Sequence, residues 1–259
     1  MYAEERRSAI VDEARNEGRV RVVDLAARFE VAPETIRRDL DVLEADGVVK
    51  RVHGGAIPVI GFDGRETTLP EREIANAGAK RAMAEAALAY VPHQDGTIIL
   101  DAGSSTGALA ALLVAPGITF NNLSIVTDSV PAAMTLSAVP QHTVHILGGS
   151  VRGVTQSTVG ATALETLRRL RVDIAFVGTN GISGTFGLTT PDAAEAAVKR
   201  AMVAAARRTV ALADRSKFGH DFFISFAALS DIDVLITDGK PPASLASALS
   251  AHETEVVIV

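Results

Sequence analysis

The sequence predicts an α/β fold in which a small, mainly helical N-terminal domain precedes a larger domain built on a parallel sheet. Residues 3–48 place apolar side chains at helical spacing, whereas the chain beyond residue 96 alternates short β-branched runs with segments rich in Ala and Leu. Such alternation indicates βαβ units, and uninterrupted apolar strands indicate a sheet covered on both faces. Residues 58–70 hold the prolines and glycines that are typical of a linker.

The composition excludes several classes of protein. Of the 259 residues, 47% are hydrophobic and 22% are charged, which argues against a disordered chain. The absence of cysteine excludes a disulfide framework, a thiolate zinc site and a cysteine nucleophile. The charged N-terminus lacks the apolar stretch of a secretory signal, and no later apolar run is long enough to span a bilayer. We therefore expect a cytoplasmic protein without a membrane partner.

Three helices and a short β-like segment are predicted in the N-terminal domain, residues 1–57. The first helix ends at Gly18, the second covers residues 22–29, and the third runs from Pro33 to about Asp46. Residues 48–56 are β-like. The helical spacing predicts that these apolar residues face the core: Val22, Leu25, Ala26, Phe29, Ile36, Leu40 and Leu43.

The second helix, the turn 30–32 and the third helix form a helix-turn-helix pattern. In that motif the second helix of the pair enters the major groove of DNA, and the β-like segment would form a wing. Arginine can bond to guanine or clamp a phosphate, and a carboxylate can accept from cytosine. A solvated helical hairpin with ordinary surface arginines is the alternative. The candidate DNA-binding residues are Pro33, Glu34, Thr35, Arg37, Arg38, Lys50, Arg51, His53 and Gly54.

The overall charge does not favour DNA binding. The chain carries 25 Lys and Arg against 31 Asp and Glu, a formal charge of −6. Residues 1–58 hold 10 basic and 12 acidic side chains, a net charge of −2. DNA binding must therefore depend on the local placement of the arginines.

The C-terminal domain, residues 71–259, begins with a long Ala-rich helix predicted from Glu71 to Tyr90. Seven apolar runs follow as predicted strands, and helical segments separate most of them. The predicted strands are Thr97–Asp101, Ser124–Thr127, Thr143–Leu147, Asp173–Val177, Thr209–Ala213, Val234–Thr237 and Glu255–Val259. The predicted helices include Thr106–Val114, Val130–Ala138, Ala161–Leu170 and Thr190–Arg207.

Polar residues gather in the loops that follow the first five of these strands. In an open parallel sheet, ligands bind outside the carboxyl ends of the strands. The first loop, residues 102–107, combines glycines with three hydroxyls at the start of a helix, where backbone N–H groups attract an anion. The mixture of hydroxyls, carboxylates, an amide and cations suits a phosphorylated polyol. The candidate ligand-binding residues are Asp101, Gly103, Ser104, Ser105, Thr106, Thr127, Asp128, Ser129, Gly148, Gly149, Arg152, Asn180, Gly181, Asp214 and Lys217.

The motifs TIRRDL, residues 35–40, and RVHGGA, residues 51–56, closely resemble the recognition helix and the wing of DeoR-family bacterial transcriptional repressors. The segments ILDAGSST, LGGSVR, VGTNGIS and ADRSKFG resemble the sensor domain of that family. The resemblance implies a sensor fold similar to ribose-5-phosphate isomerase and glucosamine-6-phosphate deaminase, and it implies a phosphorylated sugar as effector.

The same resemblance assigns roles in the effector site. Residues 104–106 would hold the phosphate, and Asp101 and Asp128 would meet sugar hydroxyls. Asp214 and Lys217 would complete the site. Lys80 is a weaker candidate, for which a solvated side chain is the simpler interpretation. Glu195 and Lys199 are four residues apart on a helix, so a surface ion pair is expected there.

A hydrolase is the first enzymatic alternative. Residues 103–107 fit the G-x-S-x-G pattern, with Ser105 as nucleophile and His220 or His252 as base. The pentapeptide is short, and a match of this length arises easily by chance. A serine-reactive probe that labelled Ser105 would favour this interpretation.

A sugar-phosphate isomerase is the second enzymatic alternative. That chemistry needs a general base beside the substrate, usually a carboxylate. The loop after the fourth strand, residues 179–182, has no carboxylate. His142 and His145 would point to opposite faces of a strand, so no metal site is predicted. We expect a protein without catalytic residues and without a cofactor.

The sequence therefore predicts a repressor of a sugar-metabolism operon that binds double-stranded operator DNA. Because one chain supplies a single recognition helix, we expect a homodimer or homotetramer assembled through the C-terminal domain. The opening residues 1–6 resemble those of family members associated with fructose metabolism in actinobacteria. Fructose 1-phosphate is accordingly the first candidate effector, followed by glycerol 3-phosphate.

Overall fold

In the computed structural model the chain divides into two compact units, with the boundary in the sequence between Glu66 and Thr67. This boundary falls inside the predicted linker 58–70. The helix ends predicted at Gly18 and Asp46 and the DNA contact predicted for His53 lie outside the described residues. The structure describes residues 3–17, 19–45, 49–52, 54–58 and 66–259.

The N-terminal unit is a three-helix domain with a small antiparallel sheet. Leu25, Ile36 and Leu40 form its centre and have no exposed surface. The strand order is β1-β3-β2, so the predicted wing is a hairpin to which a short strand is added. The elements are α1 (Ala3–Glu17), β1 (Val20–Arg21), α2 (Val22–Phe29), α3 (Pro33–Ala45), β2 (Val49–Val52) and β3 (Gly55–Pro58).

The turn between α2 and α3 is tight. Glu30 adopts a left-handed conformation with φ of 53° and ends α2. The N–H of Val31 then donates to the carbonyl of Ala26 at 3.1 Å. Pro33 begins α3, where its fixed φ suits the first helical turn. The predicted bounds of α2 and the predicted start of α3 are thereby confirmed.

A seven-stranded parallel sheet forms the centre of the C-terminal unit. Its order is β15-β14-β12-β9-β4-β5-β6, and helices cover both faces. All seven predicted strands are present in it, with ends that differ by up to three residues. They are β4 (Thr97–Leu100), β5 (Ser124–Thr127), β6 (Thr143–Ile146), β9 (Val172–Gly178), β12 (Ala206–Leu212), β14 (Val234–Thr237) and β15 (Glu255–Ile258).

Helices and short antiparallel strands complete this unit. β7 and β8 form a hairpin, and β10, β11 and β13 form a three-stranded sheet. In the described part of the chain no helix is long and apolar enough to cross a membrane. These elements are α4 (Leu69–Ile74), α5 (Ala77–Ala87), α6 (Ser104–Leu113), α7 (Val130–Leu136), β7 (Ser150–Arg152), β8 (Ser157–Val159), α8 (Ala161–Arg168), β10 (Gly181–Ser183), β11 (Gly187–Thr190), α9 (Ala193–Ala205), β13 (Ile224–Ala227) and α10 (Ala243–Ala251).

The central strands have a buried face on each side. Ile98 and Leu100 of β4 belong to a cluster with Met83 of α5 and Leu109 of α6. Ile99, between them, belongs to a second cluster that contains Met202 of α9 and Leu167 of α8. Because alternate side chains of a strand point to opposite faces, the sheet separates these two cores.

The prediction of one long helix from Glu71 to Tyr90 is wrong. The chain forms two helices, α4 and α5, separated at Ala75 and Asn76. Asn76 has φ of 53° and ψ of 33°, a left-handed conformation that few residues other than Gly and Asn adopt. Residues 71–90 contain no proline that would predict this break. Contacts of Asn76 with distant residues maintain it.

Candidate functional site

The strand order creates a crevice at the carboxyl edge of the sheet. The chain leaves β4 towards β5 and β6, then returns to β9 on the other side of β4. The loops after β4 and β9 therefore turn in opposite directions. In open α/β sheets, ligands bind at this switch point.

Asp101, directly after β4, lies at the switch point and is 1% exposed. Its Oδ2 accepts hydrogen bonds from the N–H of Gly178, at 2.8 Å, and from the Nζ of Lys199. Its Oδ1 is buried and has no partner among the described residues. Asp101 therefore joins β4, β9 and α9, and one of its carboxyl oxygens is left without a partner among the described residues.

The predicted phosphate loop forms the first turn of α6. Gly103 caps the helix in an extended conformation. The hydroxyl of Thr106 donates to the carbonyls of Asp101 and Gly103, at 2.9 and 3.0 Å, so it serves the loop itself. Ser104 is half-buried and Ser105 is buried. Ser104 and Ser105 are the hydroxyls that this turn offers to an anion.

Asp128 follows β5 and is 2% exposed, and its Oδ1 has no partner among the described residues. Burial and the negative charge of Asp101 raise the pKa of Asp128 to about 8. Asp128 is therefore mainly protonated at neutral pH and can donate a hydrogen bond. Its neighbours Thr127 and Ser129 shape the turn: the hydroxyl of Thr127 accepts from the N–H of Ser129 at 3.0 Å.

Glu195 and Lys199 lie on the buried face of α9, and the prediction of a surface ion pair between them is wrong. Both residues are buried, at 4% and 5% exposure. Each has its own partner: Lys199 pairs with Asp101, whereas Glu195 pairs with Arg152 at 2.6 Å. They share the inner face of α9 with Met202, so the spacing i, i+4, i+7 could have predicted their burial.

The carboxylate of Glu195 also accepts hydrogen bonds from Thr155 and Ser157. Burial would raise the pKa of Glu195, but the bond from Thr155 and the charge of Lys199 outweigh burial, so the pKa is lowered. Arg152, a predicted ligand residue, is therefore engaged with α9 through Glu195. Sequence inspection missed Thr155 and Ser157, because nothing in the β7–β8 hairpin indicates that it folds towards α9.

Close backbone contacts with neighbouring segments position the loops after β9 and β6. The N–H of Asn180 donates to the carbonyl of Thr189 at 3.1 Å. A Cβ on Gly181 would lie 2.2 Å from the carbonyl oxygen of His220, and one on Gly149 would lie 2.3 Å from that of Val159. These two glycines are required by close backbone approach. Gly148, beside Gly149, precedes the β7–β8 hairpin.

Asp214 and Lys80 form a second polar cluster, beyond β12. The Oδ1 of Asp214 accepts from the amide of Asn76 at 3.2 Å, and its Oδ2 is buried without a partner among the described residues. The interpretation of Lys80 as a solvated lysine is wrong, because Lys80 is 5% exposed. Its Nζ donates to the carbonyls of Arg72 and Ala75. Burial lowers the pKa of Lys80 to about 8.

Five of the predicted site residues thus gather in two charged clusters: Asp101 and Asp128 in one, and Lys80, Asp214 and Lys217 in the other. Electrostatic coupling of Asp128 to Asp101, Lys199 and Glu195 defines the first. Coupling of Lys80 to Asp214 and Lys217 defines the second. Among the described residues, no group of three or more His, Cys, Asp or Glu side chains is arranged to hold a metal ion.

The geometry of Ser105 does not favour a hydrolase. Ser105 lies inside α6 rather than on a strained turn between strand and helix. The cap residue Gly103 has φ of −152°, which is ordinary extended backbone.

The candidate DNA-binding surface is the exposed side of α3. Arg37 and Arg38 are exposed, and Arg37 pairs with Glu34 at 2.7 Å. Pro33 is exposed and Thr35 is half-buried. The inner face of α3 is anchored by Asp39, which forms a buried ion pair with Arg6 of α1 at 2.6 Å.

The wing residues are arranged around α3. Arg51 donates to the carboxylate of Asp41 and to the carbonyl of Arg37. Its guanidinium is therefore directed to the recognition helix. Lys50 lies in β2, and Gly54 forms the hairpin turn with φ of 78°.

Comparison with known proteins agrees with this organisation. Residues 6–59 match the family model of the DeoR-like helix-turn-helix domain, and residues 75–239 match that of the DeoR C terminal sensor domain. The HTH-type transcriptional regulator GlpR of Haloferax volcanii is 36% identical over 92% of this chain and 91% of its own length. The glycerol-3-phosphate regulon repressor of Escherichia coli is 28% identical over 99% of each chain.

Among solved structures, ribose 5 phosphate isomerase A from Neisseria gonorrhoeae is similar with a TM-score of 0.39 and 18% identity. The match covers 60% of this chain and 56% of the isomerase chain. The two family models together cover most of the sequence, and the named relatives extend over nearly its full length. This chain is therefore a member of the DeoR family, a transcriptional regulator that binds operator DNA through its helix-turn-helix domain and is not an enzyme.

Proposed function

We propose that this regulator represses a sugar-metabolism operon and that a phosphorylated sugar bound at the carboxyl edge of the sheet releases it from the operator. The phosphate would bind the first turn of α6, and the sugar hydroxyls would bind the carboxyl groups after β4, β5 and β12. A regulator that binds chromosomal DNA would act in the cytoplasm.

The observation that carries the proposal is the set of unpaired carboxyl oxygens in the loops after β4, β5 and β12. The Oδ1 atoms of Asp101 and Asp128 and the Oδ2 of Asp214 are buried and have no partner among the described residues. Buried acceptors without partners are rare in folded proteins, since each costs desolvation free energy. Hydroxyl groups of a polyol would donate to the carboxylates and accept from the protonated Asp128, and the N–H groups of α6 would donate hydrogen bonds to its phosphate.

Fructose 1-phosphate is the first candidate because of the resemblance of residues 1–6 to regulators of fructose metabolism. Glycerol 3-phosphate is the second, supported by the relative named as glycerol-3-phosphate regulon repressor. Each compound carries one phosphate group and hydroxyl groups close to it. The phosphate would bind the first turn of α6, and the hydroxyls would bind the nearby carboxyl groups.

The chain would act as a homodimer or homotetramer. One recognition helix covers one half-site, and two linked half-sites raise affinity through effective concentration. The sugar phosphate would bind more tightly to the arrangement in which paired recognition helices no longer match the operator, and this difference in affinity sets the size of the switch.

A charge placed at the proposed phosphate position tests the site. Ser104→Glu puts a carboxylate in the first turn of α6, where it would favour the helix but repel a phosphate. Ser244→Glu is the matched control, since Ser244 is exposed in the first turn of α10. Thermal unfolding of the full chain is followed with fructose 1-phosphate, glycerol 3-phosphate and their unphosphorylated counterparts.

We expect a phosphorylated compound to raise the Tm of the wild type and of Ser244→Glu but not of Ser104→Glu. Unphosphorylated fructose and glycerol should have little effect on any of the three. An equal Tm increase in Ser104→Glu would remove α6 from the site, and an absence of any sugar-phosphate effect on the wild type would refute the proposed effector class.

A further inference from the structure

A cavity beside α6 adjoins cations that the predicted phosphate loop does not include. The cavity measures about 240 Å³ and lies between α4, α5 and the first turns of α6. Lys80 of α5 and Ser104 of α6 both line it. Glu73, Ala77, Gly107 and Ala108 complete its lining.

Arg72, on α4, does not line the cavity, but its positive charge acts on Lys80, which does. Its Nε and Nη2 are buried and have no hydrogen-bond partner among the described residues. A guanidinium has five N–H donors in a planar fork that matches phosphate geometry. Buried, unpaired N–H groups on this half-buried cation therefore favour an anion as partner.

The charges around Arg72 and Lys80 leave an excess of positive charge. The groups that influence Lys80 are the cations Arg72 and Lys217 and the anions Asp214 and Glu73. With Lys80 itself, three cations face two carboxylates. Glu73 is exposed, so solvent weakens its negative charge. The remaining net charge around Lys80 is positive, which favours binding of a phosphate.

We propose that Arg72 is an effector-binding residue, and that with Lys80 it holds the phosphate of the effector against Ser104 and thereby makes α4 part of the binding site. This inference rests on the proposed function, because it assigns the anion to the effector. Arg72 supplies the fork, Lys80 the point charge and Ser104 the hydroxyl.

Through Lys80, binding of the phosphate would change the hydrogen bonds at the C-terminal end of α4; we call this effect the relay. In the structure Lys80 donates to the carbonyls of Arg72 and Ala75, at the C-terminal end of α4. A phosphate is a stronger acceptor than a carbonyl and would draw Nζ away from both. The amides at the start of α5, residues 76–79, could then bond to the released carbonyls, as in a continuous helix.

This relay would act at the place where the two units are joined in sequence. α4 is the first helix after the linker that follows the DNA-binding unit. The left-handed Asn76 and its bond to Asp214 at 3.2 Å hold α4 and α5 apart. Binding at the cavity would therefore change the direction in which the chain enters the sensor unit.

Three variants of the full chain test the role of Arg72. Arg72→Gln removes the charge, and Arg72→Lys keeps the charge but removes the fork. Arg81→Gln is the matched control, because Arg81 is exposed and, among the described residues, its side chain is bonded only to Glu85, at 3.0 Å. Binding of fructose 1-phosphate, glycerol 3-phosphate and inorganic phosphate is measured by calorimetry, and circular dichroism verifies that each variant is folded.

We expect Arg72→Gln to weaken binding of all anions that the wild type binds, by about tenfold to a hundredfold. The anion affinity of Arg72→Lys should lie between those of Arg72→Gln and the wild type. The affinity of Arg81→Gln should stay within about twofold of the wild-type value. Wild-type affinity in a folded Arg72→Gln would overturn the inference and leave the proposed function intact. Binding of inorganic phosphate through Arg72 without any binding of sugar phosphates would support the anion site and refute the proposed function.

Hydrogen exchange tests the relay separately. If Lys80 moves to the phosphate, the amides of residues 76–79 should exchange at least several-fold more slowly when the chain is saturated with fructose 1-phosphate or, failing that, with whichever of the three anions binds. Unchanged exchange at saturation would refute the relay. Binding of none of the three anions by the wild type would refute both the site and the relay.

Discussion

Substitution of Asp128 by Asn should change how the stability of the protein depends on pH. Asp128 is 2% exposed, and burial together with the charge of Asp101 raises its pKa from the ordinary value of 3.8 to about 8. Asparagine has nearly the same shape as a protonated aspartate but does not titrate. The variant therefore removes the proton equilibrium and retains the packing.

The sign of the effect follows from proton counts. Between pH 4 and pH 8 the folded state holds a proton on Asp128 that the unfolded state has lost, so the free energy of unfolding decreases as pH rises. The slope for one proton is about 1.4 kcal/mol per pH unit. Between pH 5 and pH 7 the contribution of Asp128 should therefore decrease by about 3 kcal/mol, and it should be fully lost above pH 8.

Urea unfolding of the wild type and of Asp128→Asn at pH 5, 6, 7 and 8 measures this contribution. The stability of the variant relative to the wild type should increase by about 1.4 kcal/mol per pH unit up to pH 7. Asp221→Asn is the control at an exposed aspartate and should show a far smaller trend. A constant difference between wild type and Asp128→Asn across this range would refute a buried, protonated Asp128.

Three further substitutions test other parts of the account. Lys199→Met should lower the free energy of unfolding in urea titrations by about 3–5 kcal/mol, because it leaves the carboxylate of Asp101 buried without its cation. Adding Asp101→Asn should recover part of this loss, and a double variant less stable than Lys199→Met would contradict the reasoning. Arg37→Ala should weaken operator binding by about 1–3 kcal/mol in fluorescence anisotropy if Arg37 reads a guanine, and unchanged binding would remove it from the interface. Gly149→Ala should lower the Tm, since its Cβ would lie 2.3 Å from a carbonyl oxygen at φ of 135°, whereas Gly153→Ala, with nothing within 4 Å, should leave the Tm nearly unchanged.

Sequence patterns predicted the elements that depend on local periodicity. The apolar runs located all seven strands of the central sheet. The five inner strands are mostly buried and continuously apolar, whereas the edge strands β6 and β15 keep the apolar pattern although they are largely exposed. Helical spacing located α2 and placed Ile36 and Leu40 in the core. The parallel connectivity then required the polar loops to lie along one edge of the sheet.

Sequence patterns did not predict features that depend on distant partners. The break at Asn76 follows from the bonds of Asn76 to Asp214 and of Lys80 to the carbonyls of α4, which no local propensity specifies. Glu195 resembles one half of a solvent-exposed helical pair, but the β7–β8 hairpin brings Arg152 to it. These tertiary contacts outweigh the propensity of residues 71–90 to form one helix.

The most direct test of the central claim is a titration of the operator complex. The full chain is bound to labelled DNA from upstream of its own gene, and fluorescence anisotropy is followed as fructose 1-phosphate or glycerol 3-phosphate is added, with fructose and glycerol as controls. The account predicts that one phosphorylated compound releases the DNA and that the unphosphorylated compounds do not. Retention of the operator at saturating sugar phosphate, with binding of that compound verified by calorimetry, would contradict it.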